Sequence, residues 1–267
     1  MNSLYSWQVK DGGRFLNKEN EEMLSKVPEV TLIFWVIKIF ATTLGETGGD
    51  AVSMSMDLGY LLSTGIFAII FIVAVLAQMF SKQFHPVTYW ATIIATTMLG
   101  TTVADFADRS LGIGYAGGSA LLLTLLLVSL FVWYRTLGSI SVESVSSPKS
   151  EIFYWVTIMF SQTLGTALGD WVADTEGLGY LASAVIFSSI LAAIALAYYK
   201  TKISHVYLFW AAFIFTRPLG AVVGDFLDKP VSEGGLALSR YSATATLIAL
   251  IVFFIFAFKQ NAAKKAH

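Results

Sequence analysis

Four times along this chain the same marks recur in the same register. A tryptophan (Trp35, Trp90, Trp155, Trp210) stands ten residues before the glycine of a Leu-Gly pair (Gly45, Gly100, Gly165, Gly220). Five residues after that glycine comes an aspartate (Asp50, Asp105, Asp170, Asp225), and fourteen after it a second glycine (Gly59, Gly114, Gly179, Gly234). Tyrosine follows the second glycine in three copies; the fourth has Gly235 instead. Gap-free matches of this kind mean four tandem copies of one structural unit. From Asp50 to Asp170 and from Asp105 to Asp225 the step is 120 residues, so the two halves of the chain repeat as well.

Each copy holds two long apolar runs. The eight runs lie near 30–53, 58–80, 86–106, 113–135, 152–172, 178–199, 205–226 and 236–258. Each is close to the roughly 20 residues a spanning helix needs. Only 13% of the residues are charged, against about 25% in soluble domains, and 56% are hydrophobic. In lipid the backbone must satisfy itself, and runs this long suit helices rather than barrel strands. The fold expected is an all-α membrane protein with eight transmembrane helices, arranged as four parallel two-helix pseudo-repeats. Lys10, Arg14, Lys18, Lys26, Lys82, Arg135, Lys149, Lys200, Lys202, Lys259, Lys264 and Lys265 fall at the termini and between repeats. The hairpin tips inside the repeats hold only Arg109 and Lys229 among several acids. The positive-inside rule then places both termini in the cytoplasm. The expected divisions are a cytoplasmic segment 1–27, repeats one and two over 28–137, a Ser-rich polar linker 138–151, repeats three and four over 152–258, and a basic tail 259–267. A surface amphipathic helix is expected near Glu22 to Val27.

The segment KVPEVTLIFWVIKIFATTLGETGGD, with the repeated tryptophan and the Leu-Gly-x-x-x-Gly-Asp pattern, resembles a family of bacterial integral membrane proteins. Those proteins are built from four tandem two-helix repeats, each with a tryptophan, and the repeat is of unknown function. The likeness covers residues 26 to about 258. It implies the architecture and a bacterial cytoplasmic (inner) membrane setting, and it implies no activity.

Function therefore rests on the residues. Gly45/Gly49, Gly100/Ala104, Gly165/Gly169 and Gly220/Gly224 are small-x-x-x-small pairs, which let helix backbones approach closely. The tryptophans are expected to anchor the helices at the membrane interface. The aspartates are different. At about 100° per residue they flank the glycine stripe, and at about 1.5 Å per residue they lie roughly 22 Å beyond the tryptophans. Ionisable residues at such depth mark ion or proton paths. Glu46 adds a carboxylate one turn before Asp50, and Asp105/Asp108 and Asp225/Asp228 are i, i+3 pairs. Two readings of these pairs stand side by side: the two acids share a cation or a proton, or the bases that follow Asp108 and Asp228, Arg109 and Lys229, form outer salt bridges with them. Thr43, Thr97 and Thr163 place hydroxyls in the turns before the aspartates. Lys38 and Arg217 are the charge partners expected within the spans, Lys38 either snorkelling or pairing with Glu46 and Arg217 meeting a carboxylate of another repeat. Counting Glu46 and the four repeated aspartates against these two cations gives five minus two, a formal −3, which calls for a bound cation or protons.

Carboxylate and hydroxyl oxygens suit hard cations such as Mn²⁺, Mg²⁺, Na⁺ or H⁺. The chain has no cysteine, and two of its three histidines, His85 and His205, lie at the far ends of their helices. No nucleophile triad, zinc-protease helix or phosphate loop is present, so no enzyme and no cofactor are expected. A net charge of −1 argues against nucleic acid. The expectation is a small-cation transporter whose metal site is Asp50, Asp105, Asp170 and Asp225. One half would rock against the other, with 138–151 absorbing the movement. The alternatives are a cation channel ringed by the same acids, and a non-transporting structural membrane module. An organic cation is a third possible cargo, given Phe106, Trp171 and Phe226 beside three aspartates. The partners expected are the bilayer and a small cation or proton, with a homo-oligomer left open.

Overall fold

The computed structural model describes residues 24–175 and 177–264. Strand β1 (Leu24–Pro28) leads into α1 (Leu32–Asp50), followed by α2 (Gly59–Phe80), α3 (Pro86–Asp105), α4 (Tyr115–Leu137), α5 (Pro148–Asp170), α6 (Gly179–Lys200), α7 (His205–Asp228), α8 (Arg240–Ala257) and strand β2 (Ala262–Lys264). Local chemistry sets the helix starts. Thr31 accepts from the Phe34 N–H at 3.3 Å, Ser147 and Ser150 form a capping box, and Pro86 and Pro148 occupy first-turn positions where no amide is needed. Six helices, all but α1 and α5, are long and apolar enough to cross a membrane. The chain is a membrane protein, with eight long helices among the described residues, of which α5 is the most polar.

The first helices of the four repeats make a closed inner ring. α1 packs against α3 and α7, and α5 packs against the same two. Each second helix then covers the first helix of the next repeat: α2 lies on α3, α4 on α5, and α6 on α7. The last helix, α8, returns to cover α1 and completes the pattern. Composition explains the two shells. The inner helices are rich in Thr, Gly and charged residues and are buried, whereas the outer helices expose Ile69, Val73, Leu121, Phe131, Leu181, Val185 and Phe256 to the surroundings. In lipid an apolar outer face is at equilibrium, so packing rather than hydrophobic burial must hold the inner ring together.

Glycines supply that packing. Gly45 lies against Thr97, Gly100 against Gln162, Gly165 against Arg217 and Pro218, and Gly220 against Thr42. Every Leu-Gly glycine thus faces the same position on the next inner helix, three residues before that helix's own glycine. Gly49, Gly169 and Gly224 repeat the contact one turn on, against Thr101, Ala221 and Glu46, and Ala104 is buried at the matching place in α3. A Cβ on Gly100 would lie 2.9 Å from the Gln162 carbonyl carbon and 3.0 Å from the Thr163 nitrogen, both main-chain atoms. Gly100→Ala is therefore expected to lower stability by about 1–3 kcal/mol through overpacking. Gly65→Ala on α2, where the added carbon meets nothing within 4 Å, is expected to be neutral or to stabilise by about 0.5–1 kcal/mol. Thermal unfolding of the two variants in detergent checks the pair.

The second repeated glycine has another cause. Gly59, Gly114, Gly179 and Gly234 all have positive φ, between 71° and 86°, at the turn into the second helix or just before it. Residues with a side chain rarely adopt that conformation, so the turn selects glycine. Before those turns, the first three inner helices end in a π-helical turn that begins directly after the aspartate: Ala51–Ser55, Phe106–Ser110 and Trp171–Thr175. In the fourth repeat α7 continues as α-helix to Asp228.

At the end opposite the hairpins, the tryptophans do not form a lipid-facing belt. Trp90, Trp155 and Trp210 are buried with Phe34, Tyr89, Tyr154, Trp133 and Phe209 in one aromatic core. Two of the indole donors are used inside the protein, Trp90 Nε1 to Gln260 Oε1 at 2.7 Å and Trp210 Nε1 to the Ile140 carbonyl at 2.9 Å. On α3, α5 and α7 these side chains point inward and close the bundle, while Trp35 on α1 is only partly buried against the same core. The expected helix near Glu22 to Val27 is also corrected: Leu24–Pro28 is a strand, paired antiparallel with β2, and the rest of the segment lies outside the described residues. The first and last described segments therefore meet on one side. Ser25 Oγ donates to the carbonyls of Val142 (2.8 Å) and Val145 (3.1 Å), and Lys26 Nζ meets Glu151 at 2.7 Å. Val142 and Val145 are buried, so the 138–151 stretch is held against β1 instead of hanging as a free hinge.

Candidate functional site

Two polar layers cross the inner ring near the hairpin end. The first lies one residue after each Leu-Gly glycine and consists of Glu46, Thr101, Thr166 and Ala221. Arg217, fully buried on α7, reaches across to it. Its Nη2 lies 3.0 Å from Glu46 Oε2 and 2.6 Å from Thr101 Oγ1, and also bonds Thr166 Oγ1. Its partners come from all three other inner helices, so one guanidinium ties the ring at its centre. Ala221 is the small member of the layer, on Arg217's own helix. Pro218 follows directly and interrupts the helical hydrogen bonding there.

The second layer, four residues further on, contains Asp50, Asp105, Asp170 and Asp225, none more than 3% exposed. Two bases span it. Arg109 lies 3.1 Å from Asp105 and 3.2 Å from Asp170. Lys229 lies 3.1 Å from Asp225 and 3.1 Å from Asp50. Arg109 and Lys229 are 120 residues apart, as are the aspartates they bridge, so this layer has the twofold symmetry of the half-repeats. Arg240 breaks it, pairing with Asp228 at 3.0 Å and standing 3.7 Å from Asp50.

These pairings revise the sequence-based expectation in several places. Lys38 does not meet Glu46. Its Nζ bonds Thr216 Oγ1 at 3.3 Å and lies 3.9 Å from the centre of the Phe213 ring. Arg109 and Lys229 serve the repeated aspartates four residues earlier, not the neighbouring Asp108 and Asp228. Asp108 is buried against Gly118, and its Oδ1 accepts no hydrogen bond. Thr43, Thr97 and Thr163 do not present free hydroxyls to the acids; they donate to the carbonyls of Ile39, of Ala41 and Ile94, and of Met159. The charge balance changes too. Glu46 and the four aspartates now face Arg217, Arg109 and Lys229, five minus three, a formal −2, with Asp228 and Arg240 adding a neutral pair.

Some carboxylate oxygens remain without hydrogen bonds. Asp105 Oδ2 and Asp170 Oδ1 accept none, whereas Asp105 Oδ1 and Asp225 Oδ1 are the atoms that meet Arg109 and Lys229. Ligand atoms of Glu46, Asp50 and Asp225 all lie within 4.8 Å of one another, which suits a single cation held by three oxygens. Asp105 and Asp170 belong to the other side of the layer, drawn together by Arg109. His85 and His205 start α3 and α7 at the aromatic end, remote from both layers.

The residues missed were Arg109 and Lys229 in their bridging role, Arg240, Thr101, Thr166 and Gln162. The i, i+4 spacing of Asp105 with Arg109 and of Asp225 with Lys229 is the signal that marks two of them.

Fold and site together define a class: a membrane bundle of four two-helix repeats whose inner ring buries a partly neutralised layer of carboxylates. The sequence profile of the Repeat of Unknown Function (DUF347) matches residues 33–84, 88–139, 153–204 and 208–262, and the chain belongs to that family. No curated protein and no solved structure matches it.

Proposed function

We propose that this protein is a carrier of a small hard cation in the bacterial cytoplasmic membrane, with its termini in the cytoplasm and its acidic layer toward the outside. The observation behind this reading is the meeting of Glu46 from the first layer with Asp50 and Asp225 from the second, all within 4.8 Å, where the two layers together keep a formal −2. Buried acids in such excess favour a bound cation or shared protons. A divalent metal or Na⁺ would sit between those three residues, and proton release from the same acids would couple its movement to a gradient. The channel alternative is less favoured, because the Arg217 guanidinium stands across the ring one layer below and repels cations there.

The test uses the purified full chain and Asp50→Asn, which leaves Lys229 paired with Asp225. Wild-type protein is expected to gain thermal stability from one cation among Na⁺, Mg²⁺, Ca²⁺ and Mn²⁺. At a hundredfold excess over Kd the gain is about 2.7 kcal/mol. The folded variant is expected to lose that response, and saturable uptake into proteoliposomes should fall with it. A second reading, a non-transporting module, is favoured by the way Arg109 and Lys229 strap the aspartates together. No response to any cation in wild type, with Asp50→Asn folded, would support that module and sink the carrier.

A further inference from the structure

A cleft of about 950 Å³ opens at the aromatic end between α1, α6 and α7, a volume within the range of small-molecule sites. Leu32 and Tyr199, two of its lining residues, are 77% and 79% exposed, so the cleft is open to the surroundings on its outer side. Along α7 the lining runs from His205 to Thr216, eleven steps and about 16 Å at 1.5 Å per residue. That is half of the roughly 30 Å hydrocarbon thickness, the depth of one leaflet. The inner end is hydrocarbon in character. Ile39, Leu191 and Ala212 line it, and the Thr216 hydroxyl is already used, donating to the Phe213 carbonyl at 2.9 Å and accepting from Lys38 at 3.3 Å.

The mouth is different. Glu29, which follows β1, and Glu143 stand there with Lys264 of β2, two acids against one base. Their main chains are held in place: the Glu29 N–H donates to the Asn261 carbonyl at 2.9 Å, and the Glu143 N–H to Ser141 Oγ at 3.3 Å. Among the described residues no base lies within 4.0 Å of either carboxylate, and Lys26, three residues before Glu29, is paired with Glu151 at 2.7 Å. Aromatic rings adjoin the acids. Trp35 and Phe209 have ring centres 5.8 Å apart, and the Tyr198 ring lies 4.4 Å from that of His205. Carboxylates and the faces of Trp and Tyr are the groups that receive an ammonium. The fold does not require an acid at this place, since the positions matching Glu29 in the other repeats are Phe84, Lys149 and Ser204.

We propose that the cleft binds one phospholipid of the adjoining leaflet whose head carries a primary ammonium beside its phosphate, as in phosphatidylethanolamine. The ammonium meets Glu29 and Glu143, the phosphate meets Lys264, and an acyl chain runs past Phe209 and Leu191 to Ala212. Three N–H donors on that head suit two carboxylates; a choline head has no N–H to offer them. An anionic head would face the two acids, and a free amine would leave Lys264 without its phosphate. This site is separate from the acidic layer and does not rest on the cation reading.

The test is thermal unfolding of the purified full chain in detergent, titrated with dioctanoyl phosphatidylethanolamine, the matching phosphatidylcholine and phosphatidylglycerol, and octylamine. Phosphatidylethanolamine is expected to stabilise the protein saturably, with an apparent affinity at least about tenfold above each of the other three. The Glu29→Gln/Glu143→Gln variant removes no ion pair among the described residues, so it is expected to keep the lipid-free unfolding midpoint and to lose the preference for phosphatidylethanolamine. Lys264→Gln, at an exposed side chain, is expected to weaken phosphatidylethanolamine and to leave octylamine unchanged. Equal responses to phosphatidylglycerol and phosphatidylethanolamine would overturn the selective head-group site. Octylamine binding as tightly as phosphatidylethanolamine would replace the lipid with a free amine, and a preference kept in the double variant would remove Glu29 and Glu143 from the site.

Discussion

Replacing Arg217 with methionine is expected to lower the stability of the protein by about 3–5 kcal/mol, the loss typical when one member of a buried ion pair is removed. The reason lies in what remains. Glu46, 3% exposed, keeps a carboxylate with no cation at its side, and the Thr101 and Thr166 hydroxyls lose the donor that joined them. Removing both charges is a different matter. A Glu46→Leu/Arg217→Met double variant is expected to regain most of the loss, because two well-packed apolar side chains often replace a buried pair at little cost. Chemical unfolding of the two single variants and the double variant gives the coupling directly. Equal, additive losses would show that the guanidinium does not depend on Glu46.

The second large effect is expected at Lys229. Lys229→Met leaves Asp225 and Asp50 together in the acidic layer, with only Arg240 near Asp50 at 3.7 Å. A loss of about 2–4 kcal/mol is expected. Its half-repeat mate provides the internal comparison. Arg109 also bridges two aspartates, yet its side chain is 29% exposed against 9% for Lys229. Water therefore takes over more of its work, and Arg109→Met is expected to cost less, about 1–2 kcal/mol. Lys229→Arg, which installs the residue repeat two already uses, is expected to keep most of the stability. The order of unfolding midpoints, wild type, Lys229→Arg, Arg109→Met and then Lys229→Met, is the readout. Reversal of the last two would mean that exposure does not set the strength of these bridges.

Much of the architecture was legible because it is repeated. The tryptophan, the two glycines and the aspartate recur at fixed spacing, and one physical cause accounts for each position: an aromatic core, a close helix approach, a positive φ, a buried acid layer. The periodicity could not show where each residue points. A tryptophan every repeat at a helix start is equally consistent with an interface and with an inward-facing ring, and only the closure of four inner helices decides it. Closure was hidden because each outer helix packs on the following repeat, and hydropathy carries no record of that partner.

The site was legible as a set of acids and illegible as a network. Asp50, Asp105, Asp170 and Asp225 announce themselves by register. Their partners sit at single positions that the repeat does not preserve. Setting the copies in register places Thr42, Thr97 and Gln162 where repeat four has Arg217, and so marks Arg217 as the place where the symmetry is broken. Lys38 stands out in the same way against Ile93, Ile158 and Phe213. The strands at the two ends were beyond reach of pattern, since five residues of LSKVP and three of AAK have no period to read.

The pairing of β1 with β2 has a topological consequence. It brings the two ends of the described residues together, while α8 covers α1 in the way every other outer helix covers its successor. The bundle thus has no first or last repeat in space, only in the gene. A polypeptide rearranged to begin at Ser139 and end at Gly138, with Leu24 linked to Lys264 across the strand pair, is expected to form the same ring.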